Sequence, residues 1–179
     1  MTEHALSDAL KQRLHAIRLA VFDVDGVLTT GALNFLPDGQ EVKTFHTLDG
    51  LGIKLLHQAG IRTAIITGRS SSQVSMRAKA LGIHWCIQGR EDKLVALEEI
   101  WQESGESAAT TAYIGDDLPD LSAITTVAFG VTVPNGHPLV CKEADWCTTR
   151  RGGEGAAREF CELLLASQGK LNDLIGAFR

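Results

Sequence analysis

At 179 residues, with 44% hydrophobic and 22% charged side chains, the chain has the size and balance of a soluble globular protein able to bury a sizeable core. Its formal net charge of −5 offers no electrostatic footprint for nucleic acid or an anionic membrane, and no apolar run approaches the length of a membrane span. Four cysteines, Cys86, Cys141, Cys147 and Cys161, show neither a CxxC pair nor zinc-ligand spacing, so they are expected to be reduced thiols, mostly buried, in a cytoplasmic protein.

The N-terminal stretch Met1–Arg18 is polar and mixed in charge, unlike a secretory signal. The spacing of Leu6, Leu10, Leu14 and Ile17 predicts a short amphipathic helix there. Leu19–Phe22 is an apolar run of strand type, followed by Asp23-Val24-Asp25-Gly26-Val27-Leu28-Thr29. Side chains two residues apart share one face of a strand, so Asp23 and Asp25 are expected to converge just beyond its carboxyl end. Paired carboxylates suit a hard divalent cation such as Mg²⁺, and aspartate is an established covalent acceptor of phosphoryl groups.

The next segment, Leu33 to Phe45, holds two short strand-like stretches around Asp38-Gly39, a β-hairpin signal inserted over about residues 31–47. Beyond it, helical patterns (Gly50–Ala59, Ser71–Leu81, Asp92–Glu103, Leu118–Thr125) alternate with strand-like runs (Ile61–Ile66, Ile83–Ile87, Thr110–Ile114, Val127–Val131). In the third helix Leu94, Leu97, Ile100 and Trp101 make the apolar face. The alternation predicts an α/β fold, a parallel sheet with helices on both faces, whose ligands bind beyond the carboxyl ends of the strands. The tail, about residues 150–179, opens with Arg150-Arg151-Gly152-Gly153-Glu154-Gly155 and continues as a helix over Ala156–Ala166. With no repeat, linker or composition break, residues 1–179 read as a single domain.

Each later strand ends in something suited to phosphate. Thr67-Gly68-Arg69 offers a hydroxyl, backbone N–H groups at the start of a helix, and a guanidinium. Lys93 stands at a helix start, where the helix dipole gives it nothing, which points to an anionic partner. Gly115-Asp116-Asp117-Leu118-Pro119-Asp120 is a second acidic cluster able to complete a metal site. The histidines His4, His15, His57, His84 and His137 lack ligand spacing, and Trp85, Trp101 and Trp146 read as core or interface.

The set Asp23-Val24-Asp25-Gly26, Thr67-Gly68-Arg69, Lys93 and Gly115-Asp116-Asp117…Asp120 resembles the haloacid dehalogenase (HAD) superfamily of phosphatases, in the family's order over about Leu19–Glu159. The hairpin, Thr47-Leu48-Asp49-Gly50, Gln88-Gly89…Asp92-Lys93 and the Gly152–Gly155 tail are similar to the capless branch of 3-deoxy-D-manno-octulosonate 8-phosphate (KDO 8-phosphate) phosphatases, which serves lipopolysaccharide synthesis. That branch often carries Thr-Asp-Gly where this chain has Thr29-Thr30-Gly31, outside the catalytic pair. Neither the Asp23–Thr67 gap nor the Thr67–Lys93 gap has room for a lid domain, which supports a Rossmann-like HAD fold without a cap.

The resemblance implies that Asp23 is the nucleophile and Asp25 the general acid–base. It implies Mg²⁺ held by Asp23, the Asp25 backbone carbonyl and Asp116, and phosphoryl oxygens held by Thr67 and Lys93. Nearby negative charge is expected to keep Asp25 protonated for its task. His46, Thr47, Leu48, Asp49, Gly50, Lys54, Arg69 and Arg77, with Asp25 and Lys93, would bind a small phosphorylated sugar acid. The family forms homotetramers whose sites are completed by neighbouring subunits, the hairpin and a mobile Gly-rich tail being the candidates here. Alternatives are a phosphatase for nine-carbon sugar acid 9-phosphates and a receiver-type phospho-signalling domain. The latter is disfavoured because the third strand ends in Gln88-Gly89, without the acceptor carboxylate.

Overall fold

The structure, a computed structural model, describes residues 8–178. Leu6 of the expected N-terminal helix and His4 lie outside them. The helix that is described, α1 (Asp8–His15), buries Leu14 against the core.

Six strands form one parallel sheet: β1 (Leu19–Phe22), β4 (Arg62–Thr67), β5 (Trp85–Gln88), β6 (Thr111–Ile114), β7 (Phe129–Thr132) and β8 (Trp146–Cys147), in the order β5-β4-β1-β6-β7-β8. β1 sits between β4 and β6, and all four of its residues are buried because helices cover both faces. Alternate residues therefore feed two cores. Ala20 and Phe22 join α2 (Thr47–Gln58) and α7 (Ala156–Ser167) through Leu56, Phe160 and Leu164. Leu19 and Val21 join α4 (Lys93–Ser104) and α5 (Leu121–Thr126) through Leu97, Ile100 and Ile124. Phe22 lies in register with Ile65 of β4 and Ile114 of β6, so Asp23, the end of β4 at Thr67 and the residues after Ile114 come to the same carboxyl end of the sheet. The strand order reverses between β1 and β6, the kind of crevice in which open α/β sheets hold ligands.

The hairpin is present but short: β2 (Asn34–Phe35) pairs with β3 (Glu41–Val42), Asn34 opposite Val42 and Phe35 opposite Glu41. Among the described residues there is no cap domain. Four short elements lie outside the expected set: β8, α6 (Pro138–Glu143), α8 (Leu171–Gly176) and a 3₁₀ turn over Ala108–Thr110. The expected helix Leu118–Thr125 divides into a 3₁₀ turn over Leu118–Asp120, with Pro119 in it, and α5. α3 (Ser72–Leu81) starts later than the Thr67 loop, its Val74 N–H bound by Ser71 Oγ at 3.4 Å. The N–H groups beside Thr67 thus belong to a loop and not to a helix N-terminus.

Two expectations are corrected. Of the cysteines only Cys161 is buried; Cys141 and Cys147 are half-buried and Cys86 is exposed, because β5 lies at the sheet edge. The Gly-rich tail, expected to be mobile, is packed into the structure. Gly152 is buried, a Cβ there would overlap the Gly26 carbonyl, and the Gly153 N–H donates to Val27 O at 2.8 Å. Beyond it, α7 supplies Phe160, Leu163 and Leu164 to the core, so deleting the chain from Gly152 would remove part of the fold.

Candidate active site

Asp23 continues β1 past the sheet edge, its N–H donating to Ile114 O of β6 at 3.0 Å. Thr67 ends β4, Lys93 begins α4, and Asp116 and Asp120 follow β6. Together with Asp25, Arg69 and Asp117 these side chains line a cavity of about 340 Å³. The four strand-end motifs are thereby united at one place.

Asp120 is the frame of the site. Its Oδ1 accepts from Lys93 Nζ at 2.6 Å and from the Tyr113 hydroxyl at 2.7 Å. Its Oδ2 accepts from the N–H groups of Asp116 and Asp117 at 3.1 and 3.2 Å. The other side of the Lys93 ammonium lies 2.8 Å from Asp23 Oδ1, and the lysine side chain is only 5% exposed. Gly26 completes the arrangement. Its φ is +98°, and a Cβ would overlap the Asp116 carboxylate, so the glycine after the aspartate pair is required twice over.

Carboxylate oxygens of Asp23, Asp116 and Asp120 lie within 4.8 Å of one another. Burial pushes the Asp23 carboxyl well above its usual range; the Asp120 charge adds to this and Lys93 opposes it. Burial, then the Asp120 charge, raise Asp116 to about 7. For Lys93 burial acts against the charge, but Asp23 and Asp120 outweigh it, and its pKa is raised. Three carboxylates against one ammonium leave a buried excess of negative charge, and Asp116 Oδ1 is buried with no hydrogen-bond partner. A hard, oxygen-seeking divalent cation fits that donor set. Because both Asp120 oxygens are already engaged, Asp23 and Asp116 are the side chains best placed to hold it.

Cations, and not the expected anions, face the Asp25 carboxylate. Lys43 is hydrogen-bonded to Oδ1, and Arg69 Nε stands 3.9 Å from Oδ2. Arg69 also pairs with Glu41 at 2.8 Å. Thr67 is buried, its Oγ1 accepting from the Arg69 N–H at 3.4 Å.

The remaining expected substrate contacts are not brought to this cavity within one chain. His46 caps α2, its Nδ1 accepting from the Leu48 N–H at 3.2 Å. Asp49 is buried and accepts from the Arg158 N–H at 2.8 Å, tying α2 to the start of α7; burial raises its pKa. Gly50 leaves room for Arg77, which reaches the His46 carbonyl at 3.4 Å and lies over the Phe45 ring at 5.9 Å. Thr47, Leu48 and Lys54 are exposed on α2. His46, Asp49, Gly50 and Arg77 instead line a separate small pocket with Phe45, Ile53 and Leu81. Glu41, Lys43, Tyr113 and the frame role of Asp120 escaped the sequence reading. The signal for the first two was their i, i+2 spacing after the Asp38-Gly39 turn.

A parallel sheet whose first strand delivers two aspartates to a lysine-bridged acidic cluster defines a haloacid dehalogenase-like hydrolase. The model of that family, haloacid dehalogenase-like hydrolase, matches residues 86–160. The chain is 41% identical over 160 residues to the 3-deoxy-D-manno-octulosonate 8-phosphate phosphatase KdsC of Escherichia coli (strain K12), covering 89% of this chain and 85% of that protein. A crystal structure of 3-deoxy-D-manno-octulosonate 8-phosphate phosphatase from Moraxella catarrhalis, in complex with magnesium ion, phosphate ion and KDO, superposes with a TM-score of 0.95 at 45% identity, over 97% of this chain and 100% of that one. A probable yrbi family phosphatase from Pseudomonas syringae pv. phaseolica superposes with a TM-score of 0.94 at 53% identity, over 96% of this chain and 98% of that one. The chain belongs to the KDO 8-phosphate phosphatase family of haloacid dehalogenase-like hydrolases.

Proposed function

We propose that this protein hydrolyses KDO 8-phosphate to KDO and phosphate, in the cytoplasm, as a step of lipopolysaccharide synthesis. The observation that carries the reading is the Asp23–Lys93–Asp120–Asp116 cluster at the carboxyl ends of β1 and β6.

The Asp23 carboxylate attacks phosphorus in line. The new Oδ–P bond forms as the bond from phosphorus to the sugar oxygen breaks, leaving an aspartyl phosphate. Lys93 holds the Asp23 carboxylate in its rotamer from one side and offers its remaining proton to a phosphoryl oxygen; Thr67 offers its hydroxyl to another. Asp25 gives a proton to the departing sugar alkoxide, then takes one from the water that hydrolyses the intermediate. Asp23, Asp116 and the Asp25 backbone carbonyl would hold Mg²⁺, whose positive charge would stabilise the phosphoryl oxygens. Asp120 and Tyr113 keep Lys93 and the Asp116 loop in place.

Among the described residues none forms a lid over the site, although a reacting phosphate ester needs shielding from water. The hairpin presents Leu33, Phe35, Leu36 and Val42 to solvent, an apolar face suited to packing on other copies of the chain. In our reading four subunits assemble through these hairpins, and residues His46–Gly50, Lys54 and Arg77 meet the sugar of a neighbour's site. The test is phosphate release from a panel of KDO 8-phosphate, nine-carbon sugar acid 9-phosphates and neutral sugar phosphates, with and without Mg²⁺. Preference for a nine-carbon acid, or turnover indifferent to Mg²⁺, would overturn the assignment.

A further inference from the structure

Arg69 is a cavity-lining cation that the phosphoryl-transfer steps derived above leave without a task. Its guanidinium stands on the leaving-group side of the site, Nε lying 3.9 Å from Oδ2 of Asp25, the carboxyl that serves the departing oxygen. The side chain is 45% exposed, so packing alone does not fix where the guanidinium points. Its close partner is Glu41, whose Oε2 accepts from Nη2 at 2.8 Å. Nε and Nη2 form one edge of the planar fork, and that edge is turned to the two carboxylates. Nη1, which makes no hydrogen bond among the described residues, is the donor left for a ligand. Glu41 itself lies outside the cavity wall and is firmly held. Its backbone carbonyl accepts from Gln73 Nε2 of α3 at 3.0 Å, and the Lys43 ammonium stands 3.0 Å from its other carboxylate oxygen. The bond from Arg69, then that from Lys43, hold its carboxyl below the usual range, so it is ionised at neutral pH. A fixed carboxylate thus supports a guanidinium that little else confines.

We propose that Glu41 is a positioning residue, which aims the Arg69 guanidinium so that Nη1 meets the polar leaving group of the phosphate ester. The inference rests on the phosphatase reading above and adds to it a task for a hairpin residue of the same chain. A donor already held in place loses less side-chain freedom when substrate binds than one that is free to swing. Arg69 takes no part in making or breaking the bonds to phosphorus. It touches the leaving group before and during phosphoryl transfer alike, so misdirecting it raises KM and leaves kcat nearly unchanged.

Glu41→Ala, Arg69→Ala and the double variant, each checked for folding by thermal unfolding, are assayed with Mg²⁺ on KDO 8-phosphate and on phenyl phosphate, whose leaving group has no polar atom besides the departing oxygen. On KDO 8-phosphate Arg69→Ala should raise KM about 10–100-fold, the range of a hydrogen bond to a charged group. Glu41→Ala should raise it about 3–10-fold, the range for fixing one long side chain. In the Arg69→Ala background Glu41→Ala should add less than about 2-fold, because the group it aims is gone. Full additivity of the two substitutions would overturn the proposal, and so would an equal loss on both substrates. A residue that merely supports Asp25 or the hairpin acts whether or not Arg69 is present, and on every phosphate alike. A KM that falls in Glu41→Ala would overturn it too, because Glu41 would then be holding Arg69 back. If Glu41→Ala does not fold, the cycle is run with the near-isosteric Glu41→Gln, which exchanges a charge-assisted hydrogen bond for a weaker neutral one and should show the same lack of additivity. A wild-type protein that prefers a different sugar acid phosphate would overturn the KDO assignment alone, the cycle then being run on that substrate. One that releases phosphate from none of them overturns the phosphatase reading and the proposal together.

Discussion

Stripping divalent cations with a chelator should destabilise this protein by an amount that grows as pH rises. The groups responsible are Asp116, raised from 3.8 to about 7, and Asp23, raised in the same direction, in both cases chiefly by burial. A carboxyl whose folded pKa lies above its unfolded value binds a proton in the native state that the unfolded chain has already released. Stability without metal is therefore full below the unfolded value and is lost as pH climbs towards 7. For Asp116 the shift of about 3 units corresponds at most to roughly 4 kcal/mol, at 1.36 kcal/mol per unit. A bound cation removes this loss by favouring the ionised carboxylates, so the melting temperatures with and without Mg²⁺ should diverge from about pH 4 to about pH 7, by up to about 10 °C at the upper end. His57 and His84, lowered chiefly by burial, contribute a slope of opposite sign. That slope is common to both conditions and cancels in the difference. Calorimetric titration with Mg²⁺ near neutral pH, in two buffers of different ionisation enthalpy, should register proton release. A gap that stays flat or narrows with rising pH would refute the account, because it would mean that the cation does not displace protons from these carboxylates.

Asp23→Asn should abolish turnover while the fold survives, since an amide is a poor nucleophile; phosphate release by a well-folded variant would exclude the covalent route. Asp25→Asn should lose roughly 10²–10⁴-fold on a sugar phosphate through lost proton transfer, and less on p-nitrophenyl phosphate, whose leaving group needs little protonation. Equal losses on both would assign Asp25 a structural or metal-binding role. Gly26→Ala should weaken Mg²⁺ binding and lower the melting temperature, because the new methyl meets Asp116 and φ is +98°; unchanged Mg²⁺ titration would contradict the fit. If the hairpins build the tetramer proposed above, charged residues at Phe35 and Val42 should yield a monomer in sedimentation, both side chains being exposed in the single chain. Phe45, by contrast, packs on the protein's own core and is unsuited to that test.

The parts of the fold legible from sequence are those where one signal dominated. Leu19–Phe22 has the same bounds in sequence and structure because a strand covered on both faces needs an uninterrupted apolar run. β8 is two residues, Trp146 and Cys147, too few to show any period, and α6, at six residues, is under two turns. The same holds for the site. Asp23, Thr67, Lys93 and Asp116 were legible because each follows, ends or begins a recognisable element. The partners of Asp120 were not: Lys93 lies 27 residues away, and nothing local states that the two meet. Glu41 and Lys43 depend on which face of a two-stranded hairpin turns inward, a choice made by tertiary packing.

The Gly-rich tail shows most plainly why a residue pattern can underdetermine its meaning. Glycine supplies either backbone freedom or the absence of a side chain, and these lead to opposite expectations, a moving flap or a tight seam. Burial decides between them here. Asn135 bridges the seam, accepting from the Gly152 N–H at 2.9 Å and donating to the Gly26 carbonyl at 3.3 Å, while the missing Cβ of Gly152 lets the two backbones touch. Gly26 in turn presses on the Asp116 carboxylate, and the Asp116 carbonyl accepts from the His137 N–H at 2.7 Å, in the same loop as Asn135. The tail, the loop after β7 and the aspartate loop thus close a single ring of contacts around Asp116. The glycines far along the chain bear on the chemistry by fixing where that carboxylate sits.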